Sequence, residues 1–168
     1  GETEAVVRVL ETGRLSIGPA LDEFETRFAR YLGASSAVGV SSGTTGLHLC
    51  VIAAGVGDGD LVVTSPFSFV ASANCLLYER AIPVFVDVDP RTGDLDPALV
   101  SEAVDDIALE RPGWRRWLPP ALRGDSTAVG ALKALLPVHT FGQPADMNRL
   151  LDTARCHNLF VIEDACEA

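Results

Sequence analysis

The sequence predicts an α/β protein built on a mostly parallel β-sheet. Short runs rich in valine, isoleucine and leucine alternate with longer segments of helical periodicity along nearly the whole chain. This alternation is typical of strand–helix–strand units, whose strands run parallel. Hydrophobic residues make up 48% of the 168 residues and the mean hydropathy is +0.24, which is enough apolar material for a core.

The individual elements follow from the same alternation. The strand-like runs are short and rich in valine, isoleucine and leucine, and they lie at Ala37–Ser41, Leu61–Ser65, Ile82–Val86, Ala134–Val138 and Leu159–Ile162. Helices are predicted at Asp22–Leu32, Thr45–Ala54, Val70–Glu79, Pro97–Ala108 and Asp146–His157. Pro97 suits the first turn of its helix, and Asp96 is placed to cap it.

One segment interrupts this rhythm. Residues 110–130 contain several prolines and glycines, which are typical of turns and loops, and we predict that they form a long surface excursion. Trp114 and Trp117 lie in this segment. They are predicted to serve local packing or a subunit contact rather than a binding site.

The composition narrows the possible functions. The formal net charge is −10, which argues against binding to nucleic acid or to an anionic membrane surface, because phosphate recognition needs an excess of basic residues. The four cysteines are scattered without a CxxC pair, which favours reduced thiols in a cytoplasmic protein over a disulfide framework or a zinc site. The longest apolar stretch, near Leu47–Val56, is far shorter than the roughly 20 residues that span a bilayer. No signal peptide is visible.

A cluster of acids follows the last predicted strand. Glu163, Asp164 and Glu167 come directly after the apolar run Leu159–Ile162. Ligands of open parallel sheets bind at the carboxyl ends of the strands, so these side chains lie where a site is expected. Three interpretations remain open from these residues alone: acids at the start of a helix, a magnesium site, or an anion that keeps a heterocyclic nitrogen protonated.

A second strand end is rich in hydroxyl groups and glycine. The segment "VGVSSGTTGLHL" leads from a strand through residues 41–46 into an apolar helix. The first N–H groups of a helix have no partner within it, so they can bind an anion, and Gly43 and Gly46 permit a close approach. The segment is neither a P-loop nor a GxGxxG turn. A plain helix cap accounts for one hydroxyl, and the remaining hydroxyls favour a phosphate.

A third strand end carries aromatic side chains. Phe67 and Phe69 follow the run Leu61–Ser65, in "TSPFSFVAS". A phenylalanine after a strand is most often part of the core. Beside a phosphate site and an acid, however, it suggests a phosphorylated heteroaromatic ring that stacks on phenylalanine and faces an aspartate. Pyridoxal phosphate matches that description.

These motifs together closely resemble the DegT/DnrJ/StrS family of sugar aminotransferases, which are pyridoxal-phosphate enzymes of fold type I. The resemblance runs along nearly the whole chain, outside residues 110–130. It rests on six motifs in order: "GRLSIGPALDEFE", "SSGTTGLHL", "DLVVTSPFSFVASAN", "IPVFVDVDP", "PVHTFGQPADM" and "IEDACEA". It implies a three-layer sandwich with a mostly parallel sheet.

The resemblance also assigns roles to single residues. Asp164 matches the aspartate that faces the pyridine nitrogen, and Phe69 matches the aromatic residue that stacks on the ring. Gly43, Thr44 and Thr45 match the phosphate-binding turn. Glu167 stands where the family often has glutamine or histidine near the phenolic oxygen of the cofactor. Two further residues receive no catalytic role: Glu163 is interpreted as structural, and for His139 a structural role is at least as well supported as a place in the site.

The family's Schiff-base lysine is not among these residues. It lies downstream of the acidic motif, and Lys133, the only lysine of the chain, matches no motif. The resemblance therefore implies that residues 1–168 form the N-terminal part of the cofactor-binding large domain. The first residues would fall inside the family's first helical segment, and the rest of the large domain and the C-terminal small domain would lie outside this sequence.

The implied reaction is amino transfer. An amino acid such as glutamate would load the cofactor, and the amino group would then pass to a keto group of a nucleotide-linked sugar. Family members of this kind are homodimers with sites at the interface. A sugar dehydratase of the same family and a non-catalytic pyridoxal-phosphate sensor or scaffold remain as alternatives, and a magnesium-dependent phosphatase is a reading from outside the family.

Overall fold

The structure is a computed structural model that describes residues 1–124 and 128–168. It divides into two compact units, residues 1–41 and residues 42–168. Within the described residues, no helix is both long enough and apolar enough to cross a membrane.

The first unit is a pair of helices. α1 spans Glu2–Thr12 and α2 spans Pro19–Leu32, and each ends at a glycine in the left-handed conformation. A left-handed residue is a common helix terminator, which glycine adopts without steric penalty. α2 begins three residues before the predicted start at Asp22, because Pro19 occupies its first turn. Phe24 and Phe28 stack on each other along this helix, with ring centroids 5.5 Å apart.

The predicted strand Ala37–Ser41 is wrong. The structure assigns no strand there, although the segment is apolar and β-branched. The Gly39 N–H donates to the carboxylate of Glu25 at 2.7 Å, and Val38 is 74% exposed. Sequence composition alone does not make a strand, which also requires a neighbouring backbone to pair with.

The second unit contains a four-stranded, fully parallel sheet. Its strands are β1 (Leu61–Thr64), β2 (Ile82–Phe85), β3 (Leu132–Leu136) and β4 (Phe160–Val161), in the order β2-β1-β3-β4. The prediction of a parallel α/β protein is therefore confirmed. The structure places β3 slightly earlier than predicted and shortens β4 to two residues.

Four helices cover the two faces of this sheet. They are α3 (Gly43–Ala53), α4 (Ala71–Tyr78), α5 (Pro97–Ala108) and α6 (Met147–Cys156). Leu61 and Val63 of β1 pack with α5 and α6, whereas Val62 between them packs with α3 and α4. Alternate strand residues thus face two separate cores, and the result is a three-layer sandwich. Asp96 caps α5 as predicted, since its carboxylate accepts the Ala98 N–H at 2.8 Å.

The segment predicted as a surface excursion is attached to the core. It contains two short 3₁₀ helices, Trp114–Trp117 and Pro120–Leu122, and Leu118 between them is only 1% exposed. Both tryptophans pack against the core on the α5 side, and Trp117 Nε1 donates to Asp106 Oδ2 at 3.0 Å. This arrangement is local packing. The part of the segment at 125–127 lies outside the described residues.

Candidate active site

The backbone of Asp164 extends the sheet beyond the end of β4. Its N–H donates to the Pro137 carbonyl at 2.9 Å, and its carbonyl accepts the His139 N–H at 3.0 Å. These two bonds make a parallel bridge with Val138, which follows β3. Asp164 is consequently fixed at the carboxyl edge of the sheet and is only 6% exposed. An acid in this position cannot be explained as the start of an exposed helix.

Both oxygens of the Asp164 carboxylate accept hydrogen bonds. Ser72 Oγ donates to Oδ2 at 2.8 Å, and the Cys166 N–H donates to Oδ1 at 3.2 Å. The carboxylate also affects two thiols. Its hydrogen bond with the Cys166 side chain, together with burial, raises the pKa of Cys166 to about 11. Burial, with a smaller repulsion from Asp164, raises the pKa of Cys75 to about 11.

The loop after β1 presents the two phenylalanines predicted from the sequence. Ser65, which is buried, accepts the Phe67 N–H at 3.0 Å and so turns the chain outward immediately after the strand. Phe69 is 76% exposed and Phe67 is 48% exposed. Neither ring belongs to the two buried cores of the sheet. Within residues 1–168, therefore, neither phenylalanine is part of a buried core.

The loop after β3 contributes a third aromatic ring. Phe141 has a φ of 54°, which a non-glycine residue rarely adopts, and its N–H donates to Glu167 Oε2 at 2.7 Å. The ring meets Phe67 edge to face, with centroids 6.0 Å apart. Thr140, the preceding residue, donates its N–H to the buried Asp94 at 3.1 Å. Two carboxylates therefore hold this loop in its strained shape.

These three strand ends enclose one cleft of about 290 Å³. Its walls include Phe67, Phe69 and Phe141, and the carboxylates of Asp164 and Glu167 also line it. Most of the lining is apolar, with few polar groups. Such a combination is typical of a small-molecule site, in which an apolar wall binds a flat ligand and a few polar groups orient it.

The N-terminus of α3 lies against the same edge. Ser42 caps the helix, because its Oγ accepts the Thr45 N–H at 3.2 Å and lies 3.0 Å from the Thr45 hydroxyl. Gly43, the first residue of the helix, comes so close to Cys166 that a Cβ there would lie 2.5 Å from Sγ. Glycine is required for this approach, and Cys166 in turn lines the cleft. The predicted phosphate turn is therefore a neighbour of the predicted ring site.

His139 and Glu163 form a separate pair. His139 is buried, and its Nδ1 accepts the Ala145 N–H at 3.2 Å. Its Nε2 lies 3.1 Å from the Glu163 carboxylate, to which it donates. Neither residue lines the cleft, and both ring nitrogens of the histidine are used within the protein. This geometry supports a structural role for both residues.

Lys133 is remote from the cleft. It is the second residue of β3, whereas the cleft is formed by the segments that follow the other end of that strand. In addition, the described residues contain no group of three or more histidine, cysteine, aspartate or glutamate side chains that could hold a metal ion.

Of the residues predicted from the sequence, Phe69, Asp164 and Glu167 come together in the cleft, and Gly43 contacts its wall through Cys166. Thr44 and Thr45 lie in the adjoining helix turn and do not line the cleft. Sequence reasoning missed Ser72 and Phe141. The sequence around Ser72 does not reveal its role, because its hydrogen-bond partner Asp164 lies 92 positions away. Phe141 could have been suspected, since it lies in the loop after β3 as Phe67 lies in the loop after β1.

Comparison with known proteins identifies the family. The model of the DegT/DnrJ/EryC1/StrS aminotransferase family matches residues 1–168. The chain belongs to this family. The resemblance inferred from the six motifs is therefore confirmed.

Two of the similar proteins are named for sugars or sugar products that are linked to a nucleotide. GDP-perosamine synthase of Caulobacter vibrioides is 40% identical over 168 residues, which is 99% of this chain and 39% of the relative. The dTDP-3-amino-3,4,6-trideoxy-alpha-D-glucose transaminase of Streptomyces venezuelae is 37% identical, over 99% of this chain and 38% of the relative. The chain thus spans less than two fifths of the length of these relatives.

Solved structures show the same fold. S. venezuelae DesV in complex with a ketimine intermediate matches with a TM-score of 0.79 and 35% identity, over 99% of this chain and 39% of that one. NtdA of Bacillus subtilis with bound cofactor PMP matches with a TM-score of 0.78 and 30% identity, over 98% of this chain and 32% of that one. The three-layer fold predicted for this family is confirmed.

Proposed function

We propose that residues 1–168 are the N-terminal part of the large domain of a pyridoxal-phosphate-dependent sugar aminotransferase. The enzyme would transfer an amino group from an amino acid such as glutamate to a keto group of a nucleotide-linked sugar. The observation that supports this most strongly is the cleft in which the exposed Phe69 and the buried Asp164 meet, beside the N-terminus of α3.

The residues present fit pyridoxal phosphate. The cleft is lined by three phenylalanines and a buried carboxylate, which suits a flat, cationic heterocycle. Phe69 would lie against the face of the ring, and Asp164 would bind its nitrogen. The turn Gly43–Thr45 would bind the phosphate, because helix N-termini attract anions and the cleft is lined by neither arginine nor lysine. The bound cofactor supplies an electron sink for breaking bonds at the amino-bearing carbon.

The contribution of the protein is to keep the ring nitrogen protonated. Asp164 carries a negative charge in a largely water-excluded position, where a charge acts more strongly than in bulk water. The hydrogen bonds from Ser72 Oγ and the Cys166 N–H fix the orientation of the carboxylate before a ligand arrives. Phe69 would hold a flat ligand in one plane beside this carboxylate.

The substrate proposal rests on the relatives. GDP-perosamine synthase and the dTDP-sugar transaminase are named for sugars attached to two different nucleotides, so the nucleotide itself is not part of the proposal. We include a homodimer in the proposal, because the large exposed apolar side chains of this chain need cover. A cytoplasmic location is also proposed, and it agrees with the four free cysteines.

The proposal is tested with Asp164→Asn in the full-length protein. Asparagine keeps the shape but lacks the charge that holds the nitrogen proton, so turnover should fall at least about a hundredfold, roughly 2.7 kcal/mol in the transition state. Cofactor affinity should fall much less, because the stacking and phosphate contacts remain. Turnover is measured as amination of a keto sugar by mass spectrometry, which also distinguishes amination from dehydration.

Glu163→Gln is the matched control, because it changes the neighbouring acid to an amide outside the cleft. It should leave turnover close to that of the wild type. Equal turnover of the Asp164→Asn variant and the wild type would refute the assignment of Asp164.

A further inference from the structure

We infer that Ser72 is the positioning residue for Asp164: its hydroxyl holds the carboxylate in place and keeps it anionic, so that the proton stays on the ring nitrogen of the bound cofactor. This inference rests on the proposed function. It concerns a residue of α4, which lies in a different part of the sequence from the acidic motif.

The contact is buried and direct. Ser72 is the second residue of α4 and is 1% exposed. Its Oγ donates to Asp164 Oδ2 at 2.8 Å, and this bond ties the start of α4 to the turn that follows β4. A hydrogen bond between a buried hydroxyl and a carboxylate is charge-assisted and stronger than one between neutral groups.

The direction of this bond follows from the neighbours of Ser72. Its Oγ lies 2.7 Å from Ser68 Oγ and 3.3 Å from the Phe69 carbonyl. The hydroxyl has a single proton, so it can donate only one strong hydrogen bond. The ionised carboxylate is the strongest acceptor of the three and accepts only. Because Ser72 donates its hydroxyl proton to the hydrogen bond with Asp164, Ser68 must donate to Ser72. The two hydroxyls thus form a chain of hydrogen bonds that ends at the carboxylate.

The hydrogen bond from Ser72 affects where the proton lies that the Asp164 carboxylate and the pyridine nitrogen of the cofactor share. Each hydrogen bond donated to the carboxylate stabilises its anionic form. Without Ser72, Oδ2 would lose its donor in a buried position, and the pair would shift toward a neutral carboxyl group and a neutral ring. The Cys166 N–H, which donates to Oδ1, would remain.

Helix capping does not explain the serine. The N-cap of α4 is Val70, which makes no side-chain cap, and the Ser72 hydroxyl reaches Asp164 outside the helix. A merely structural role would therefore be visible as a loss of stability. A positioning role would change the state of the ring nitrogen.

The test uses the full-length protein loaded with pyridoxal phosphate that carries ¹⁵N in the ring. The ¹⁵N chemical shift reports directly whether the nitrogen bears a proton, independently of turnover. In Ser72→Ala the signal should move toward that of the unprotonated ring at neutral pH, while the cofactor still binds. Thermal unfolding of the cofactor-free variant measures any structural effect separately.

Threonine and valine at position 72 form a matched pair, because they have the same shape and only threonine has the hydroxyl. Ser72→Thr should keep the wild-type ¹⁵N shift and Ser72→Val should lose it, which decides the question if Ser72→Ala does not fold. A wild-type shift in a folded, cofactor-bound Ser72→Ala or Ser72→Val variant would overturn the role of Ser72 alone. If the wild-type protein itself fails to bind pyridoxal phosphate, the proposed function is overturned, and the inference with it.

Discussion

At the scale of single residues, the chemistry of the cleft centres on one buried charge. Asp164 accepts hydrogen bonds from Ser72 Oγ and the Cys166 N–H, and it raises the pKa of the thiols of Cys75 and Cys166. Its position and that of Phe69 were predictable, because both lie in segments that follow strands of a parallel sheet. Its hydrogen-bond partner Ser72 was not predictable, because a hydrogen bond between distant segments depends on how α4 packs against the sheet.

The reactivity of Cys166 tests this charge. The hydrogen bond with Asp164, together with burial, raises the pKa of the Cys166 thiol to about 11, so at pH 8 the thiol remains almost entirely protonated although the residue is exposed. Since the thiolate is the nucleophile, alkylation of Cys166 by iodoacetamide should be slow at pH 8 and should rise as the pH approaches 11.

Asp164→Asn should accelerate this alkylation severalfold at pH 8, because removal of the negative charge stabilises the thiolate. Peptide mass spectrometry of the folded, cofactor-free protein measures the labelled fraction at Cys166. The same rate in both proteins would show that Asp164 does not control this thiol.

At the scale of elements, the site depends on close contact between α3 and the turn after β4. Gly43 allows this contact, and the capping hydroxyl of Ser42 starts the helix there. The sequence indicated this turn through its hydroxyls and glycines. It did not indicate that Cys166 packs against Gly43, because nothing about a cysteine in the segment after β4 predicts which residue it contacts.

Gly43→Ala should therefore be harmful only while Cys166 is present. A Cβ at position 43 would lie 2.5 Å from Sγ but 3.6 Å from Cβ of Cys166, and the second distance is an ordinary contact. We expect Gly43→Ala to destabilise the full-length protein by about 1–3 kcal/mol, the usual range for overpacking. In a Cys166→Ala background the same change should be nearly neutral.

This double-mutant cycle is measured by urea denaturation, together with pyridoxal-phosphate affinity. Cys166→Ala alone serves as the control. If Gly43→Ala has the same effect in both backgrounds, the clash with Sγ is not the reason for glycine at this position.

At the scale of the whole molecule, the fold class was predictable from the sequence. Which segments pair as strands and which become buried was not. The two central strands, β1 and β3, have apolar residues on both faces, which is typical of a parallel sheet between helices. The segment at 37–41 has similar composition but forms no strand, and Leu118 is buried inside a segment that looked like surface. In both cases the outcome depends on neighbouring segments rather than on the residues themselves.

The exposed apolar surface leads to an expectation for the 168-residue chain expressed by itself. Large apolar side chains are exposed in both units, among them Phe24, Tyr31, Phe69, Phe141 and Phe160. Phe160 lies in β4, an outer strand of the described sheet, where unpaired backbone groups invite association. We expect this chain to associate in a concentration-dependent manner, which sedimentation velocity measures. A single monomeric species over a wide concentration range would contradict this expectation.

The same chain should form no specific covalent link to pyridoxal phosphate. Lys133, its only lysine, lies near the start of β3, whereas Phe69 and Asp164 lie at the segments that follow the strands. A strand rises about 3.3 Å per residue, so the three steps from Lys133 to the end of β3 at Leu136 separate this lysine from the cleft edge by roughly 10 Å. After incubation with pyridoxal phosphate and reduction with borohydride, peptide mapping should find only the low labelling expected of a partly exposed amine. Saturable labelling of Lys133 that Asp164→Asn abolishes would place this lysine in the cleft and refute the geometry.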